Sequence, residues 1–366
     1  MGLGVGIVGL PNIGKSTTFN ALTKVQNAQA QNYPFCTIEP NKAIVPVPDK
    51  RLDVLAKIVL PDKIQHSTID FVDIAGLVKG ASKGEGLGNQ FLSNIREVEV
   101  LLHMVRCFDD DTIVHVEGDI DPIRDLEIIE TELIYADVTQ LNKKIDRLKK
   151  EAKFDKKSAA KLEIALALAL HLDALHPVKT FEKTTNEFFL ELDKELRFLS
   201  NKDVIYGANV DEDSLTNGND YVLKLQAHAD FVGADLIMLC AKIEEELIGL
   251  KDDETLEMLH DLGVQKSGLE QIIHKAFDKL GLQSYFTAGK IEVRSWTIPK
   301  GCTAPKAAAA IHNDFEKGFI KAEVIAYEDF VGLGGEAKAK EAGKLKLEGK
   351  DYVVQDGDIM HFRFNV

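Results

Sequence analysis

The residues GLPNIGKS at positions 9–16 decide the fold of this chain, because they match G-x-x-x-x-G-K-[ST] at every fixed position. A short apolar run, Leu3 to Val8, precedes them and predicts a strand, and Lys15 to Thr23 has helical periodicity. A glycine loop between a strand and a helix offers backbone N–H groups and a helix dipole to a phosphate. The residues predicted to bind the phosphates are Gly9, Asn12, Ile13, Gly14, Lys15, Ser16 and Thr17.

Two side chains of this loop have predicted chemical roles. The Lys15 ammonium is expected to neutralise β- and γ-phosphate oxygens and so to take part in catalysis, and the Ser16 hydroxyl is expected to bind Mg²⁺. An overlapping G-x-G-x-x-G at 4–9 is the dinucleotide fingerprint, but it would require Ile7 and Val8 to be helical where they favour a strand. The overlapping pattern therefore does not indicate an oxidoreductase.

A second motif, D-x-x-G from Asp73 to Gly76, ends another apolar run. After a phosphate loop, such an aspartate holds Mg²⁺ through water and the glycine N–H meets the γ-phosphate, so both residues are predicted to do so here. Between the two motifs, the proline-bracketed loop 33–41 contains Thr37, which we predict as the second protein hydroxyl on Mg²⁺. The alternative for this threonine is a structural role in its loop.

Short apolar runs separated by helical stretches predict an α/β domain with a mostly parallel sheet covered on both faces. These runs are residues 68–73, 100–107, 204–208 and 234–240.

Residues 125–200 predict a helical hairpin, coiled-coil-like, inserted into this α/β domain. Asp121-Pro122 is typical of an N-cap followed by proline at the first helical position, and apolar residues then recur at helical spacing. Leucines alternate with other residues over 162–172 as they would in a strand, but the leucine and alanine content favours a helix. The turn of the hairpin is expected near Lys153 to Lys157.

From about Gln283 the pattern changes to that of a small α+β module. Residues 291–298 and 352–364 predict strands, and Asp356-Gly357 is a turn signal. The predicted domains are therefore a nucleotide-binding domain at 1–124 and 201–282, the hairpin at 125–200, and the C-terminal module at 283–366.

Composition limits the class of protein. The 366 residues carry 44 Lys+Arg and 59 Asp+Glu, a net charge of −15, which argues against loose coating of nucleic acid. No apolar run is long enough for a membrane span and no secretory leader precedes the first strand, so we expect a cytoplasmic protein without a membrane partner. The four cysteines form no C-x-x-C pair, and they are expected to be reduced.

Together these motifs resemble the YchF subfamily of the Obg-like proteins, a group of translation-factor-class P-loop GTPases and ATPases. The resemblance is carried by the phosphate loop, by Pro34 to Thr37, by Asp73 to Gly88, by the inserted hairpin and by the ending 349–366. It implies a C-terminal TGS domain of β-grasp type, hydrolysis of ATP or GTP with Mg²⁺, and association with ribosomes. Contact with ribosomal RNA through the TGS-like domain and the hairpin is part of that expectation.

The residues that select the base depart from the usual N-K-x-D of GTPases. Asn209, Val210 and Glu212 stand at the matching positions, in a manner similar to YchF, and Cys240 and Ala241 resemble the S-A-K element whose N–H contacts the base. Loss of the lysine and lengthening of the carboxylate weaken guanine selection, so we expect ATP to bind about 10-fold more tightly than GTP. A GTP-preferring GTPase is the alternative.

The water-positioning group is also unusual. Ordinary small GTPases carry Gln after D-x-x-G, whereas this chain has Leu77, which cannot hydrogen-bond a water. The resemblance implies His115 as the catalytic residue instead, and the alternative is an ordinary surface histidine. It also implies Asn12 as a ligand for K⁺; the alternative is that Asn12 only favours a tight loop.

The predicted function is a ribosome-associated nucleotide triphosphatase that acts as a nucleotide-dependent switch in translation. A nucleotide-binding scaffold with negligible turnover is the rival from a different class. A small-molecule kinase is disfavoured because no arginine-rich lid segment is found.

Overall fold

The computed structural model of the chain describes residues 4–28, 41–74 and 87–365. Its strands belong to two six-stranded sheets. The strands are β1 (Gly4–Val8), β2 (Lys42–Pro46), β3 (Lys63–Gln65), β4 (Thr68–Asp73), β5 (Val100–Arg106), β6 (Asp203–Asn209), β7 (Asp235–Leu239), β8 (Leu282–Ala288), β9 (Glu292–Pro299), β10 (Phe319–Ile325), β11 (Lys346–Glu348) and β12 (Ile359–Phe364).

The helices lie between these strands and in the predicted hairpin. They are α1 (Lys15–Ala28), α2 (Lys50–Val59), α3 (Leu87–Glu97), α4 (Pro122–Glu151), α5 (Lys156–Asp173), α6 (Glu187–Leu196), α7 (Asp220–Val232), α8 (Ala241–Leu247), α9 (Asp252–Asp261), α10 (Gly268–Lys279), α11 (Ala304–Ala309), α12 (Asn313–Lys317), α13 (Tyr327–Leu333) and α14 (Glu336–Glu341).

The first sheet has the strand order β2-β4-β1-β5-β6-β7. Its central strands β1 and β5 are buried along their whole length, as expected for apolar runs covered on both faces. The pairs β1–β5, β5–β6 and β6–β7 are parallel, with Leu102 between Ile7 and Ile205. Because parallel strands end at one edge, the residues that follow β1, β5, β6 and β7 lie at the same end of the sheet. The predicted fold class is confirmed.

The hairpin forms because both of its long helices have strong capping residues. The Asp121 carboxylate accepts N–H bonds from Ile123 and Arg124 at the start of α4, and Asp155 caps α5 through the N–H groups of Lys157 and Ser158. The stretch 162–172 is helical, as predicted. Leucines, isoleucines and phenylalanines of α4, α5 and α6 form one apolar core.

The chain divides into two compact units. The first comprises Met1–Ala21, Pro40–Lys42 and Phe71–Leu269, and the second comprises Leu22–Glu39, Ala43–Asp70 and Glu270–Val366. The second unit contains the other sheet, in the order β11-β10-β12-β8-β9-β3. In this sheet β3 pairs parallel to β9, and the Ser67 hydroxyl lies 2.7 Å from that of Ser295.

Each face of the second sheet is covered by helices. Helices α11 and α12 pack on the face of Tyr285 and Phe362, and α2, α13 and α14 pack on the face of Phe286 and Ile359. The second unit therefore combines residues 43–70 with the C-terminal segment. No local sequence pattern indicates that these two segments pack together.

The predicted strand at 352–364 is shorter in the structure, where only β12 is a strand. Residues 356 and 357 turn the chain, with Gly357 at φ 89°, and the Tyr352 hydroxyl donates to the Asp358 carboxylate at 2.7 Å. This partly buried hydrogen bond and a single antiparallel bridge between Val353 and Thr303 hold the segment before the turn, which forms no longer ladder. Phe364 is exposed and its ring stacks on Phe315.

No helix among the described residues is long and apolar enough to cross a membrane.

Candidate active site

The conformation of the loop between β1 and α1 requires glycine at two positions, Gly9 and Gly14. Gly14 has φ 94°, and a Cβ placed on it would lie 2.2 Å from the Asn209 amide nitrogen. A Cβ on Gly9 would lie 2.1 Å from Ile13 Cδ1 and 2.8 Å from the Met104 carbonyl oxygen. Both glycines of the motif are therefore required by close packing, and Asn12 takes the left-handed conformation with φ 63°.

The two charged side chains predicted at the phosphates face each other. The Lys15 ammonium donates to the Asp73 carboxylate, and both side chains are largely buried. Each is the nearest counter-charge of the other, which stabilises two charges that would otherwise be costly to bury. Lys15 comes from the start of α1 and Asp73 from the end of β4, so the structure brings together the two motifs that the sequence separates.

The oxygen donors near this pair fit Mg²⁺ better than a softer metal. The Ser16 hydroxyl is exposed at the first turn of α1, and the Asp73 carboxylate lies beside Lys15. Among the described residues no three acidic, His or Cys side chains form a metal cluster. Mg²⁺ suits such a sparse set, because it is usually held by one or two protein oxygens together with substrate phosphates and water.

Thr37 and Gly76, predicted at Mg²⁺ and at the γ-phosphate, lie outside the described residues.

Asn209 at the end of β6 connects the phosphate loop to the turn before α8, where the base-binding residues are predicted. Its buried amide donates to the Ile13 carbonyl at 2.9 Å and accepts from the Ala241 N–H at 3.0 Å. Because both ends of the amide are used, Asn209 fixes the distance between the phosphate loop and the turn before α8. Two of the predicted base residues, Asn209 and Ala241, are thus in direct contact.

The remaining base residues differ in their exposure. Val210 packs its side chain into the apolar core, so it cannot flank a base in the way a lysine stem does. Glu212 is exposed. Cys240 is buried, and burial raises the pKa of its thiol, while the N–H groups of Ile243 and Lys242 oppose that rise. Cys240 is the N-cap residue of α8, and its side chain makes no capping hydrogen bond.

His115 lies in the long loop between β5 and α4 and is buried. Its Nε2 is 2.8 Å from Asp125 Oδ2, and its Nδ1 accepts the N–H of Glu117 at 3.2 Å. The accepting role of Nδ1 places the ring proton on Nε2, which donates to Asp125. Burial raises the pKa of Asp125, although His115 and Arg124 counteract it. Both ring nitrogens are therefore engaged within the protein.

The His115 loop is nevertheless attached to the phosphate loop. The Asn12 amide donates to the carbonyl of Val114 at 3.1 Å, one residue before the histidine. Asn12 uses its Nδ2 in this bond and keeps its Oδ1 for another partner. The residue predicted as a cation ligand thus also contacts the residue next to the predicted catalytic group.

Two further residues of this region could not be inferred from motifs. Arg106 is 1% exposed at the end of β5, and its guanidinium donates to the carbonyls of Phe108, Asp110 and Ile113. Asp125 holds His115. The sequence signals for these two residues were weak. Arg106 is an arginine at the end of an apolar strand, and Asp125 is an acid in the first turn of a helix, a position that the helix dipole alone favours.

A phosphate loop with Lys15 beside the strand-end Asp73, joined by Asn209 to the turn before α8, defines a P-loop nucleotide-binding domain of the GTPase class. Residues 4–157 accordingly match the family described as 50S ribosome-binding GTPase. Residues 282–365 match the C-terminal domain of YchF GTPases, a family whose description reads protein of unknown function.

The chain belongs to the YchF family. It is 54% identical over 367 residues to the Ribosome-binding ATPase YchF of Pasteurella multocida, covering 100% of each chain. The proteins of the same name from Bacillus subtilis and Escherichia coli O157:H7 are 51% and 50% identical, again over 100% of both chains. The solved structure of the Schizosaccharomyces pombe YchF GTPase is 40% identical, covers 99% of this chain and 97% of its own, and superposes with a TM-score of 0.89.

Proposed function

We propose that this chain is a Mg²⁺-dependent nucleotide triphosphatase that prefers ATP to GTP and acts with ribosomes as a nucleotide-dependent switch in translation. The observation that carries the proposal is the convergence of Lys15, the start of α1 and Asp73 at one sheet edge. Similarity over the full length to proteins named ribosome-binding ATPases supports the ribosome and the hydrolysis. The same similarity supports a cytoplasmic location.

In this proposal the phosphate loop binds by its N–H groups, and Lys15 leaves Asp73 to contact the β- and γ-phosphates. Mg²⁺ would be held by Ser16 and Asp73, with Thr37 as the second hydroxyl, and Gly76 would donate to the γ-phosphate. The ion supplies positive charge to the phosphate oxygens. Lys15 and the loop N–H groups stabilise the charge that develops as the terminal phosphoryl group is transferred to water.

Preference for ATP follows from the base end of the site. Guanine needs a carboxylate that accepts N1–H and the N2 amino group together, whereas the Glu212 side chain extends into solvent. An adenine N6 amino group is expected to donate to the Val210 carbonyl or to the Asn209 side chain. One such bond, with the mismatch it avoids, is worth about 1–3 kcal/mol, so ATP should bind about 10-fold more tightly.

Competition titration of ATP against GTP, with Mg²⁺ and K⁺ present, tests the base assignment. Glu212→Asp restores the shorter carboxylate of the GTPase motif and should reduce the preference for ATP. Asp213→Ala, which removes the neighbouring exposed carboxylate, should leave the ratio unchanged. A wild-type protein with clear preference for GTP would overturn this account.

Turnover without a partner is expected to be slow. His115, proposed to position the attacking water, must leave Asp125 before it can do so, and Leu77 provides no substitute. Asn12, with its Oδ1 free of the Val114 bond, is proposed to hold a K⁺ ion that adds positive charge near the phosphates. Replacing K⁺ by Na⁺ in the assay should lower the rate if Asn12 has that role.

A scaffold that binds nucleotide with negligible turnover is the second candidate, and the engagement of both His115 ring nitrogens favours it. Single-turnover ATP hydrolysis with and without ribosomes separates the two, since only the switch is accelerated. Sedimentation with ribosomal particles in the ATP-bound, ADP-bound and nucleotide-free states tests the partner. Contact with ribosomal RNA is proposed through the hairpin and the TGS-like domain.

A further inference from the structure

The tip of the α4–α5 hairpin carries a charge opposite to that of the chain. Nine basic and three acidic residues lie between Lys143 and Lys161, whereas the whole protein has a net charge of −15. Part of that positive charge is neutralised: Lys144 pairs with Glu195, Lys149 with Asp146, and Lys157 and Lys161 with Glu191. The other cations face solvent.

Three unpaired cations form one stripe on α4. Lys143, Arg147 and Lys150 are spaced by four and three residues, so they lie on the same helical face. All three are exposed, and no carboxylate of the described residues pairs with them. At a rise of about 1.5 Å per residue the stripe is about 10 Å long. It ends towards the turn, where Lys153 is also exposed.

The residue that follows Lys153 is an aromatic one, Phe154, and its ring is exposed to solvent. Phe154 is 93% exposed, and it lies in a tight turn whose conformation is fixed by hydrogen bonds. Its N–H and that of Asp155 both donate to the Glu151 carbonyl, and Asp155 caps α5. These bonds hold the backbone of the turn, and the turn presents the ring to solvent next to Lys153.

We propose that this tip, formed by Lys143, Arg147, Lys150, Lys153 and Phe154, binds RNA at an unpaired segment. The cations would contact successive phosphates, and Phe154 would stack on a base that is not paired. Proteins recognise RNA loops through this pairing of a basic surface with an aromatic ring. Phosphates are favoured over acidic protein side chains because the cations form a regular row that ends at a flat ring. The proposal rests on the proposed association with ribosomes.

The experiment uses the full-length protein and a fluorescent RNA stem-loop with an unpaired loop, followed by anisotropy at several salt concentrations. Phe154→Ala should weaken binding about 10-fold without changing the salt dependence, because stacking involves no counterion release. The triple variant Lys143→Glu, Arg147→Glu, Lys150→Glu should weaken it more and should reduce the slope of log K against log salt by about 2.

Matched control variants make the same types of change, loss of an exposed apolar side chain and reversal of three positive charges, at positions outside the tip. Leu170→Ala removes an exposed side chain on α5, away from the stripe, and the reversals Lys183→Glu, Lys194→Glu and Lys224→Glu change the net charge equally. Both controls should bind the stem-loop like wild type. ATP hydrolysis in the absence of RNA should be the same in all of these proteins, because none of the changed residues belongs to the nucleotide site.

A parallel assay of pelleting with ribosomes distinguishes failure of the tip proposal from failure of the proposed function. If wild type pellets with ribosomes and both tip variants pellet equally well, the tip proposal is wrong while the proposed function stands. If the tip variants lose ribosomes but bind the stem-loop like wild type, the tip contacts protein and the RNA assignment is wrong. If wild type does not pellet in any nucleotide state, the proposed function fails, and the stem-loop titration still decides the tip.

Discussion

Buried polar side chains shape the loop that follows β5 and ends at His115. Arg106 holds three carbonyls of this loop, and Asp125 holds the histidine itself. Asn12 links the same loop to the phosphate loop through the Val114 carbonyl. The phosphate loop is therefore connected by a hydrogen bond to the residue next to the predicted catalytic histidine.

Lys15→Ala tests the phosphate site. The substitution removes the cation proposed to contact the β- and γ-phosphates and leaves Asp73 to repel them, so ATP affinity should fall about 100-fold or more. Isothermal titration calorimetry measures the loss. Lys57→Ala, at an exposed lysine of α2, is the control and should bind ATP normally. Affinity of the Lys15 variant within a few-fold of wild type would show that the site is misassigned.

His115→Ala tests the catalytic role. Turnover at saturating ATP should fall roughly 100-fold while the Kd for ATP changes little, because the interaction is made only in the transition state. His115→Gln is the matched variant, since its side-chain amide can still donate to Asp125 and can orient a water. It should fold like wild type and keep part of the rate. Unchanged turnover in the alanine variant would make His115 a structural residue of the loop.

At the scale of elements, a buried carboxylate fastens α4 to the turn through which the chain leaves the hairpin. Asp137 of α4 is fully buried and accepts the N–H groups of Leu199 and Ser200 and the Ser200 hydroxyl, at 2.7–2.9 Å. The chain leaves the hairpin through this turn before it enters β6. Asp137 therefore fixes the position of α4 relative to the segment that leads into β6.

Asp137→Ala should lower the free energy of unfolding by about 3 kcal/mol, because it leaves two buried N–H groups without acceptors. Urea unfolding followed by circular dichroism measures the change. Asp146→Ala, at an exposed carboxylate of the same helix, should change stability by less than about 0.5 kcal/mol. Equal stability of the two variants would contradict the fastening role.

The same carboxylate predicts a pH dependence. Burial raises the pKa of Asp137 to about 6, while the hydrogen bonds from Leu199 and Ser200 act in the opposite direction. Since the folded pKa lies above the unfolded value of about 3.9, this group's contribution is fully present below about pH 4 and is lost as the pH rises through about 6. The melting temperature of wild type should therefore fall more between pH 5 and pH 7 than that of Asp137→Asn. Parallel curves would contradict the assignment.

Sequence reasoning succeeded where the information is contiguous. The phosphate loop, the helical assignment of 162–172 and the cap at Asp121 depend on neighbours a few residues apart. Two features were not predicted: the hydrogen bond between His115 and Asp125 and the three hydrogen bonds from Arg106. Both depend on how the loop after β5 folds back on itself. The turn at Asp356-Gly357 and the strand after it were predicted correctly, whereas the strand expected before the turn is reduced to one bridge between Val353 and Thr303, a tertiary contact.

At the scale of the whole molecule, charge is distributed unevenly. The net charge of −15 coexists with a basic hairpin tip, so long-range repulsion from nucleic acid is combined with one local attractive surface. Such a distribution disfavours indiscriminate RNA binding and favours a defined site. It is compatible with the proposed function, in which the nucleotide state and not the overall charge controls association with ribosomes.

Single-turnover hydrolysis of ATP by the full-length protein, with and without ribosomes, tests the central claim most directly. With Mg²⁺ and K⁺ present, we expect slow hydrolysis alone, because His115 is bound to Asp125, and acceleration of about 10-fold or more when ribosomes are added. The same experiment with GTP should give a lower rate at equal subsaturating concentration. An ATP rate that ribosomes do not change, or a GTP rate that exceeds it, would contradict the account of an ATP-driven switch on the ribosome.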